Sequence, residues 1–474
     1  MEKGTYRPPI VAVLGHVDHG KTTLLDALRK TNVAKKEAGG ITQSIGASVI
    51  STKEGKEITF IDTPGHAAFA NMRSRGAKVA DIAILVIAAD DGIKPQSREA
   101  LEYILQTKIP FIVAATKIDL PSASVDTVKG QLEKEGVLLE GSGGDVPVVP
   151  VSGKTGEGLE NLLEMVTLVA EVSEVKGNPA ADLEAVVIET SKDKRGPVAS
   201  ILVRNGVLSV GDEIVTETVR AKVRGLFDQI GGAIKKVGPG KPAQVLGFDE
   251  LPTVGCRVWH LTGEVAPAPV KPKALQLEPK EGQTPVVIKA KASGALEALL
   301  ASLPSGAFVV SSGIGDVNEG DVFSAKSATL SNSEKGSYVF AFECKVPQTV
   351  AKLAETEGIK IKTFDVIYEF LRQLEEVTTQ EEKEILGKAE IIVTFPYDNQ
   401  KIAGCKVVLG RIAVGDNLVL MRKEKKLGEA KIISMKKLKQ AISQAKAGED
   451  CGVLFSPQLD FSIGDVILSV ANQK

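Results

Sequence analysis

The sequence predicts a multidomain protein of the α/β plus β class: a doubly wound α/β sheet, a β-barrel, a small α/β/α domain, a long linker helix and a C-terminal β-barrel. Three observations predict this order. Residues 10–172 alternate apolar strand-like runs with helical patterns. Residues 183–261 and 389–434 carry short β-rich runs separated by glycine-containing turns. Apolar residues between 366 and 386 recur with helical spacing.

The domain boundaries follow from changes in period and composition. Lys176–Pro179 ends the first alternating pattern, and the run from Val265 to Pro285 is rich in Pro, Lys and Ala, as linkers are. At roughly 1.5 Å per residue, the linker helix predicted before the last barrel would span about 30 Å and hold two domains apart. We therefore predict an α/β domain over 1–176, a barrel over 177–265, a linker over 266–285, an α/β domain over 286–362, a linker helix over 363–386 and a last barrel over 387–474.

The loop after the first apolar strand carries the most specific motif. Gly15–Thr22 fits the pattern G-x-x-x-x-G-K-[ST] at every fixed position. Its glycines let backbone N–H groups surround phosphates, Lys21 can contact the β and γ oxygens, and the hydroxyl of Thr22 can ligate Mg²⁺. A helix continuing from Thr23 would direct its positive end at the phosphates. The loop predicts a nucleoside triphosphate site and does not by itself distinguish ATP from GTP.

Three later motifs favour GTP. Asp62–His66 follows a second apolar strand and supplies another carboxylate for the Mg²⁺ shell, with Gly65 allowing a close approach to the γ-phosphate. Asp119 ends the run Thr116–Asp119 after a third strand, and its carboxylate can accept from both N1–H and the exocyclic amine of guanine, a donor pair that adenine lacks. Ser152–Lys154 follows a fourth strand, where a last loop would close over the base. Ligands bind at the carboxyl ends of such strands.

Composition and charge narrow the setting. The 474 residues, 43% of them hydrophobic, are enough for three or four domains with buried cores. No apolar run approaches the ~20 residues of a membrane span, and the N-terminus has no apolar signal region, so we expect a cytoplasmic protein. The four cysteines have no C-x-x-C spacing, which indicates neither disulfides nor a zinc site. Cys256 and Cys344 are expected to be buried free thiols.

The net charge of −2 is unevenly distributed. Residues 387–474 contain 14 Lys and Arg against 9 Asp and Glu, a balance of +5, and the rest of the chain has −7 (44 minus 51). The densest basic clusters are Arg422–Lys426 and Lys436–Lys439. This segment is therefore the expected RNA contact. The alternative, solvated charges on hairpins, stays open on composition alone.

These motifs resemble bacterial translation initiation factor two, a family of translational GTPases that bring initiator tRNA to the small ribosomal subunit and promote subunit joining. The resemblance covers nearly the whole chain and corresponds to a compact form without the family's long N-terminal extension. It is carried by Arg7–Ile10, Glu37–Gln43, Asp62–Phe69 and Met72–Gly76, and in the last barrel by Ile402–Cys405 and Gly448–Gly452.

The resemblance implies roles for individual residues of the first domain. His66 would be the catalytic residue that positions the attacking water, and Val17 and Ile41 would form a hydrophobic gate around it. Thr22, Thr42 and Asp62 would hold Mg²⁺. Hydrolysis should be slow without a ribosome, because no arginine finger is evident. The expected GTP-binding residues are Gly15, His16, Val17, Asp18, His19, Gly20, Lys21, Thr22, Thr23, Asp62, Gly65, Thr116, Lys117, Asp119, Ser152, Gly153 and Lys154.

The resemblance also implies partners: formylmethionyl initiator tRNA and the small and large ribosomal subunits with their RNA, no membrane, and a monomeric factor. The residues expected to bind tRNA are Cys405, Lys436, Lys437, Lys439, Asp450, Cys451 and Gly452.

Four departures from the family pattern modify these expectations. Thr116 replaces the usual Asn, which predicts lower guanine affinity with selectivity preserved through Asp119, and Gly153 replaces Ala at little cost. Lys436–Lys439 lacks the Arg and Phe of the family's Lys-Arg-Phe-Lys pattern, and Asp450 replaces Glu. Both changes predict weaker contacts to tRNA.

Two other functions are compatible with these residues. One is a related translational GTPase that delivers a different tRNA or acts in elongation, since its switch residues would look alike. The other is a GTP-dependent scaffold for ribosome assembly, which would bind subunits without preferring charged initiator tRNA and without turnover that depends on His66.

Overall fold

The computed structural model describes residues 5–31, 42–65, 67–261, 283–332, 337–378, 385–397, 400–422, 425–438 and 440–470. The chain divides into two compact units, Met1–Thr378 and Thr379–Lys474. The first unit contains an α/β domain, a β-barrel and a smaller α/β domain in sequence order, and the second is a β-barrel. The predicted class, α/β domains combined with two β-barrels, is confirmed.

The first domain is a doubly wound sheet. Its strands are β1 (Thr5–Tyr6), β2 (Ile10–Gly15), β3 (Gly46–Ser51), β4 (Glu57–Asp62), β5 (Ile82–Ala88), β6 (Phe111–Thr116), β7 (Val148–Pro150) and β8 (Lys176–Gly177). Its helices are α1 (Lys21–Arg29), α2 (Ala70–Val79), α3 (Pro95–Thr107), α4 (Val125–Lys134) and α5 (Leu159–Val172), with a 3₁₀ turn at Ala67–Phe69.

Six of these strands form the main sheet in the order β3-β4-β2-β5-β6-β7, while β1 pairs with β8. Only β3 runs antiparallel to its neighbour. Every residue of β5 is buried, because helices cover both faces of the parallel part. This layering brings the carboxyl ends of β2, β4, β6 and β7 to one edge of the sheet, where the four predicted motifs begin.

The second domain is a closed barrel. Its strands are β9 (Glu184–Asp193), β10 (Gly196–Asn205), β11 (Leu208–Ser209), β12 (Glu213–Val215), β13 (Arg220–Phe227), β14 (Ala233–Ile234), β15 (Lys236–Val237), β16 (Pro242–Phe248) and β17 (Arg257–His260). The order β12-β17-β9-β10-β16-β13 closes on itself because β12 also pairs with β13. Alternate residues of β13 are buried, as a barrel wall requires.

The third domain is a four-stranded parallel sheet with helices. Its elements are β18 (Thr284–Ala290), α6 (Ser293–Ala301), β19 (Ala307–Ile314), α7 (Glu319–Asn332), β20 (Tyr338–Phe342), α8 (Gln348–Thr356), β21 (Lys360–Phe364) and α9 (Ile367–Thr378). The strands lie in the order β19-β18-β20-β21.

Of the helix predicted over 363–386, the structure describes α9 (Ile367–Thr378), which belongs to the third domain. The ring of its Phe370 lies 5.4 Å from the ring of Phe340 in β20. Residues 379–384 lie outside the described part, and the next strand already begins at Ile385. The helical spacing was interpreted correctly, but its apolar face packs on the domain's own sheet instead of forming a free strut. An amphipathic pattern does not reveal which partner covers it.

The second unit is also a closed barrel. Its strands are β22 (Ile385–Tyr397), β23 (Gln400–Ala413), β24 (Asn417–Arg422), β25 (Lys425–Lys437), β26 (Gln440–Ala441), β27 (Gln444–Lys446), β28 (Asp450–Ser456) and β29 (Val466–Val470). The order β22-β29-β24-β25-β28-β23 is closed by pairing of β22 with β23.

Across the described ranges of both units, every helix is too short or too polar to span a lipid bilayer.

Candidate functional site

The loop between β2 and α1 has the geometry of a phosphate-binding loop. Gly15 must lack a side chain, because a Cβ there would lie 2.4 Å from the carbonyl oxygen of Val86. Gly20, with φ of 86°, takes the left-handed conformation that precedes α1. The buried Lys21 donates from Nζ to the carbonyl oxygens of Gly15, at 3.0 Å, and His16, at 2.6 Å. Burial lowers the pKa of Lys21 to about 8, so the ammonium is still mostly charged at pH 7.

The three expected Mg²⁺ ligands converge from three segments. The hydroxyl oxygens of Thr22 and Thr42 lie 2.8 Å apart. Asp62 ends β4, is buried, and its Oδ1 has no hydrogen-bond partner among the described residues. Burial raises the pKa of Asp62 to about 6. Two hydroxyls and an unsatisfied buried carboxylate oxygen are the hard oxygen donors that suit Mg²⁺, so these residues fit the ion.

The segment after Asp62 approaches the loop closely. A Cβ on Gly65 would lie 2.5 Å from Nζ of Lys21 and 3.0 Å from the backbone nitrogen of Val17, so this position requires glycine. Arg73 of α2 is fully buried and donates to the carbonyl oxygens of Pro64 and Gly65, each at 3.3 Å. The segment is thereby held against Lys21.

Two residues expected to act here, His66 and Ile41, lie outside the described residues. Val17, the other expected gate residue, lies on the wall of the cavity described below.

The base-binding motifs meet on the opposite side of the loop. The hydroxyl of Ser152 donates to Oδ1 of Asp119 at 2.7 Å and accepts from the backbone nitrogen of Lys154 at 3.2 Å. A Cβ on Gly153 would come 3.1 Å from the backbone of Thr23, closer than most side-chain contacts, which explains why a small residue stands there. The Asp119 carboxylate is therefore oriented by a hydroxyl that the last loop itself positions.

A cavity of about 370 Å³ lies between these segments. This volume falls within the range of small-molecule sites. Leu120, which the sequence motifs did not identify, belongs to the wall and could have been suspected from its place directly after Asp119. The wall consists of Val17, Asp18, Gly20, Lys21, Thr22, Thr23, Thr42, Gly65, Thr116, Lys117, Asp119, Leu120, Gly153 and Lys154.

The remaining expected nucleotide-binding residues, Gly15, His16, His19, Asp62 and Ser152, are not part of this wall. His19 shows why: it is 1% exposed, and its Nδ1 lies 3.4 Å from the carbonyl oxygen of Val86. Burial lowers the pKa of His19 to about 4, so it is neutral at pH 7. The His16 ring packs edge-on against it at 5.0 Å. Both imidazole rings therefore pack within the loop and do not line the cavity.

Gln43 ends the run Glu37–Gln43, but the sequence assigned it no role. It follows Thr42 directly and is 4% exposed. Its Nε2 donates to the carbonyl oxygen of Asp365 at 2.7 Å, and its Oε1 accepts from the backbone nitrogen of Ile367 at 3.0 Å. The residue next to Thr42, an expected Mg²⁺ ligand, is therefore bonded to the main chain at the start of α9. A buried partner 322 residues away leaves no local sequence signal.

In the last barrel the expected tRNA-binding residues lie on adjacent strands but on different faces. Cys405 of β23 is directly opposite Cys451 of β28, and both are in the apolar core, 1% and 5% exposed. Burial raises the pKa of Cys451 to about 11 and also raises that of Cys405. Gly452 lies opposite Lys436 of β25 and is half-buried.

The polar residues of this group lie at the barrel surface. Asp450 and Lys436 are exposed, and Nζ of Lys437 lies 2.9 Å from Oε1 of Glu449. Lys439 lies outside the described residues. The two cysteines therefore face the interior of the barrel, whereas Asp450 and Lys436 are accessible at its surface.

Three family models match the chain. The Elongation factor Tu GTP binding domain matches residues 7–172, Elongation factor G domain 2 matches residues 182–259, and Translation-initiation factor 2 matches residues 272–375. Among solved structures, GDP-bound aIF5B from Aeropyrum pernix is 28% identical, with coverage of 98% of this chain and 92% of that chain and a TM-score of 0.47.

Curated relatives match this chain over nearly its whole length, while the chain spans only part of theirs. Translation initiation factor IF-2 of Aquifex aeolicus is 37% identical over 97% of this chain, which spans 60% of that relative. The protein of the same name from Clostridium tetani is 38% identical over 98% of this chain and 72% of its own length. That of Caldanaerobacter subterraneus is 40% identical over 97% of this chain and 69% of its own length.

Proposed function

Because this chain belongs to the translation initiation factor IF-2 family of translational GTPases, we propose that it binds GTP with Mg²⁺ and carries formylmethionyl initiator tRNA to the small ribosomal subunit. It then promotes joining of the large subunit and hydrolyses GTP to GDP and phosphate on the ribosome. It acts as a monomer in the cytoplasm, and its partners are the tRNA and the two ribosomal subunits.

The convergence of five separate segments on one cavity carries this proposal. Lys21 and the N-terminus of α1 face one end, where a triphosphate would lie. Asp119, oriented by Ser152, faces the other end, where a guanine could donate two hydrogen bonds to its carboxylate. The cavity thus offers a phosphate-binding end and a guanine-binding end, as binding of GTP requires.

Asp62 and the residues around it would supply the oxygen ligands of Mg²⁺. When bound, Mg²⁺ would neutralise charge on the β and γ oxygens of the nucleotide. Thr22 and Thr42 would offer their hydroxyls, and the Asp62 carboxylate, whose raised pKa reflects burial without a full set of partners, would be stabilised in its charged form. Gly65 leaves room for the terminal phosphate beside Lys21.

Gln43 offers a path from the nucleotide to the rest of the factor. Ordering of Thr42 by nucleotide and metal positions the adjacent Gln43, whose amide holds the main chain at Asp365 and Ile367. This is the start of α9, the last helix before the C-terminal barrel in sequence. The γ-phosphate would therefore bias the segment that leads to the tRNA-binding barrel.

His66 is the proposed catalytic group. It directly follows Gly65 in the sequence, and Gly65 lies against Lys21 at the phosphate end of the cavity. A positioned imidazole can orient the attacking water. The gate residues Val17 and Ile41 would keep water away until the ribosome aligns it.

The experiment that tests the function measures tRNA and nucleotide preference together on the full chain. Filter binding at one fixed salt concentration compares initiator tRNA carrying formylmethionine, unformylated methionine or no amino acid, because phosphate contacts alone would favour all three equally. Competition between GTP and ATP is measured on the same preparation. We expect a clear preference for the formylated tRNA and for GTP.

The outcomes separate the alternative functions. Equal binding of the three tRNA forms, with GTP selectivity retained, would contradict the initiation function and favour the assembly scaffold. An elongator aminoacyl-tRNA is included in the same comparison, and tighter binding of it than of any initiator form would instead indicate delivery during elongation.

A further inference from the structure

The base end of the nucleotide cavity contains two residues whose types differ from the family pattern, Thr116 and Gly153, and only Thr116 has a side chain that could form a hydrogen bond. It is the last residue of β6, is 2% exposed, and lies on the cavity wall beside Lys117 and Asp119. The expected Asn would carry two N–H donors and could serve the loop and the base together. A threonine hydroxyl has a single hydrogen, so its direction decides what the residue can recognise.

That hydrogen is used within the protein. Oγ1 of Thr116 donates to the carbonyl oxygen of His19 at 2.6 Å, and the carbonyl oxygen of Ile87 lies 3.3 Å away. Both acceptors are buried main-chain groups, and the shorter contact joins the end of β6 to the phosphate loop. Only lone pairs of the hydroxyl oxygen can then face the cavity.

Guanine presents acceptors on the edge that Asp119 does not contact. N7 and O6 are both acceptors, and an oxygen lone pair gives an acceptor no hydrogen bond. The opposite edge, with N1–H and the exocyclic amine, meets the Asp119 carboxylate that Ser152 orients at 2.7 Å. Asp119 can therefore accept hydrogen bonds from the Watson–Crick edge of guanine, whereas Thr116 has no hydrogen to donate to N7.

We infer that Thr116 tethers the phosphate loop and does not read N7 of guanine, so that base selectivity in this chain depends on the Watson–Crick edge through Asp119. The inference rests on the proposed function, since it specifies how the same cavity recognises GTP. Thr116 is a positioning residue for the loop that carries Lys21.

The test compares GTP with 7-deaza-GTP, in which a C–H group replaces N7, in equilibrium titrations of the full chain with Mg²⁺. We expect the two dissociation constants to agree within about twofold, because no protein hydrogen bond is lost with N7. A 7-deaza-GTP affinity at least about tenfold weaker would overturn the inference, since some donor would then read N7.

Variants at the same position sharpen the result. Thr116→Asn supplies the missing donor and should create a preference for GTP over 7-deaza-GTP of about fivefold, the effect of one ordinary hydrogen bond. Thr116→Val keeps the volume but removes the tether, and should weaken both nucleotides by the same factor. Thr116→Ser retains the hydroxyl and should restore binding of both. A Val variant that weakened GTP alone would also contradict the inference.

The inference and the proposed function fail in different ways. If the wild-type chain bound neither nucleotide, or bound ATP as well as GTP, the proposed function would fall and the inference with it. If it selected GTP over ATP but rejected 7-deaza-GTP, the function would stand and only the inference would fall.

Discussion

The nucleotide cavity and the C-terminal barrel place their functional residues by different rules. In the cavity, each motif follows a strand of one parallel sheet, and the carboxyl ends of those strands share an edge. In the barrel, neighbouring residues point alternately inward and outward, so Cys451 is in the core while Asp450 is exposed. Strand order alone therefore locates a site in the sheet, whereas in the barrel the face of every residue must also be known.

The largest predicted effect concerns GTP hydrolysis at the nucleotide cavity, and its absence would contradict the placement of functional residues by strand ends. His66→Ala should leave GTP affinity nearly unchanged and reduce ribosome-stimulated hydrolysis by at least about a hundredfold, the low end for a group that positions or activates a nucleophile. Single-turnover phosphate release with and without ribosomes measures it. The control is His260→Ala, which removes a half-exposed histidine of the second domain, 3.2 Å from Asp212, and should change neither quantity. Normal turnover in the His66 variant would remove that residue from the mechanism.

The sequence predicted more of the cavity than of its connections. Lys21 and Asp119, which lie on its wall, were both identified because each lies at a fixed offset from a strand end. The contact made by Gln43 was not predicted, because its partners at Asp365 and Ile367 are remote in sequence. The predicted end of the helix at 386 overlaps β22, which begins at Ile385, and helical spacing did not show whether the apolar face meets its own sheet or another domain.

In the barrel, the β-period predicted the fold, but the inward direction of Cys405 depends on register. A shift of one residue would have placed that side chain outside.

The next effect concerns Asp62 and the pH dependence of stability. Since burial raises its pKa from the ordinary 3.8 to about 6, the folded protein holds a proton that the unfolded chain releases first. Stability should therefore fall as pH rises from about 4 to about 6, by about 2–3 kcal/mol at roughly 1.4 kcal/mol per pKa unit. Asp62→Asn removes this fall and weakens binding of GTP with Mg²⁺.

The measurement is the thermal unfolding midpoint of both proteins across this pH range without nucleotide. Glu189 and Glu343 also have pKa values raised by burial and change stability in the same direction, but they are present in both proteins. The difference between the two curves therefore isolates Asp62. Parallel curves would show that burial does not raise the pKa of Asp62 in the folded protein.

A smaller effect tests the connection through Gln43. Gln43→Ala leaves the carbonyl of Asp365 and the N–H of Ile367 without their partner, which should destabilise this contact by about 1–3 kcal/mol. Deuterium uptake of the segment 365–370 should rise accordingly. Gln43→Glu is the matched control, because it keeps an acceptor for Ile367 and loses only the donor to Asp365, so its uptake should be intermediate. Unchanged uptake in both variants would show that α9 does not depend on this link.

The smallest effect is expected in the barrel, at Lys437. Its ammonium pairs with Glu449 at the surface, where a phosphate contact would be screened by solvent. Lys437→Ala should weaken binding of all three forms of initiator tRNA by about two- to fivefold and reduce the salt dependence by about one counterion. Glu449→Gln, which removes the competing carboxylate, should leave affinity unchanged or raise it. If Lys437→Ala instead weakened binding of the formylated tRNA alone, this surface lysine would contact the aminoacyl end. Single residues of the barrel would then determine ligand specificity, as single residues of the nucleotide cavity are proposed to do.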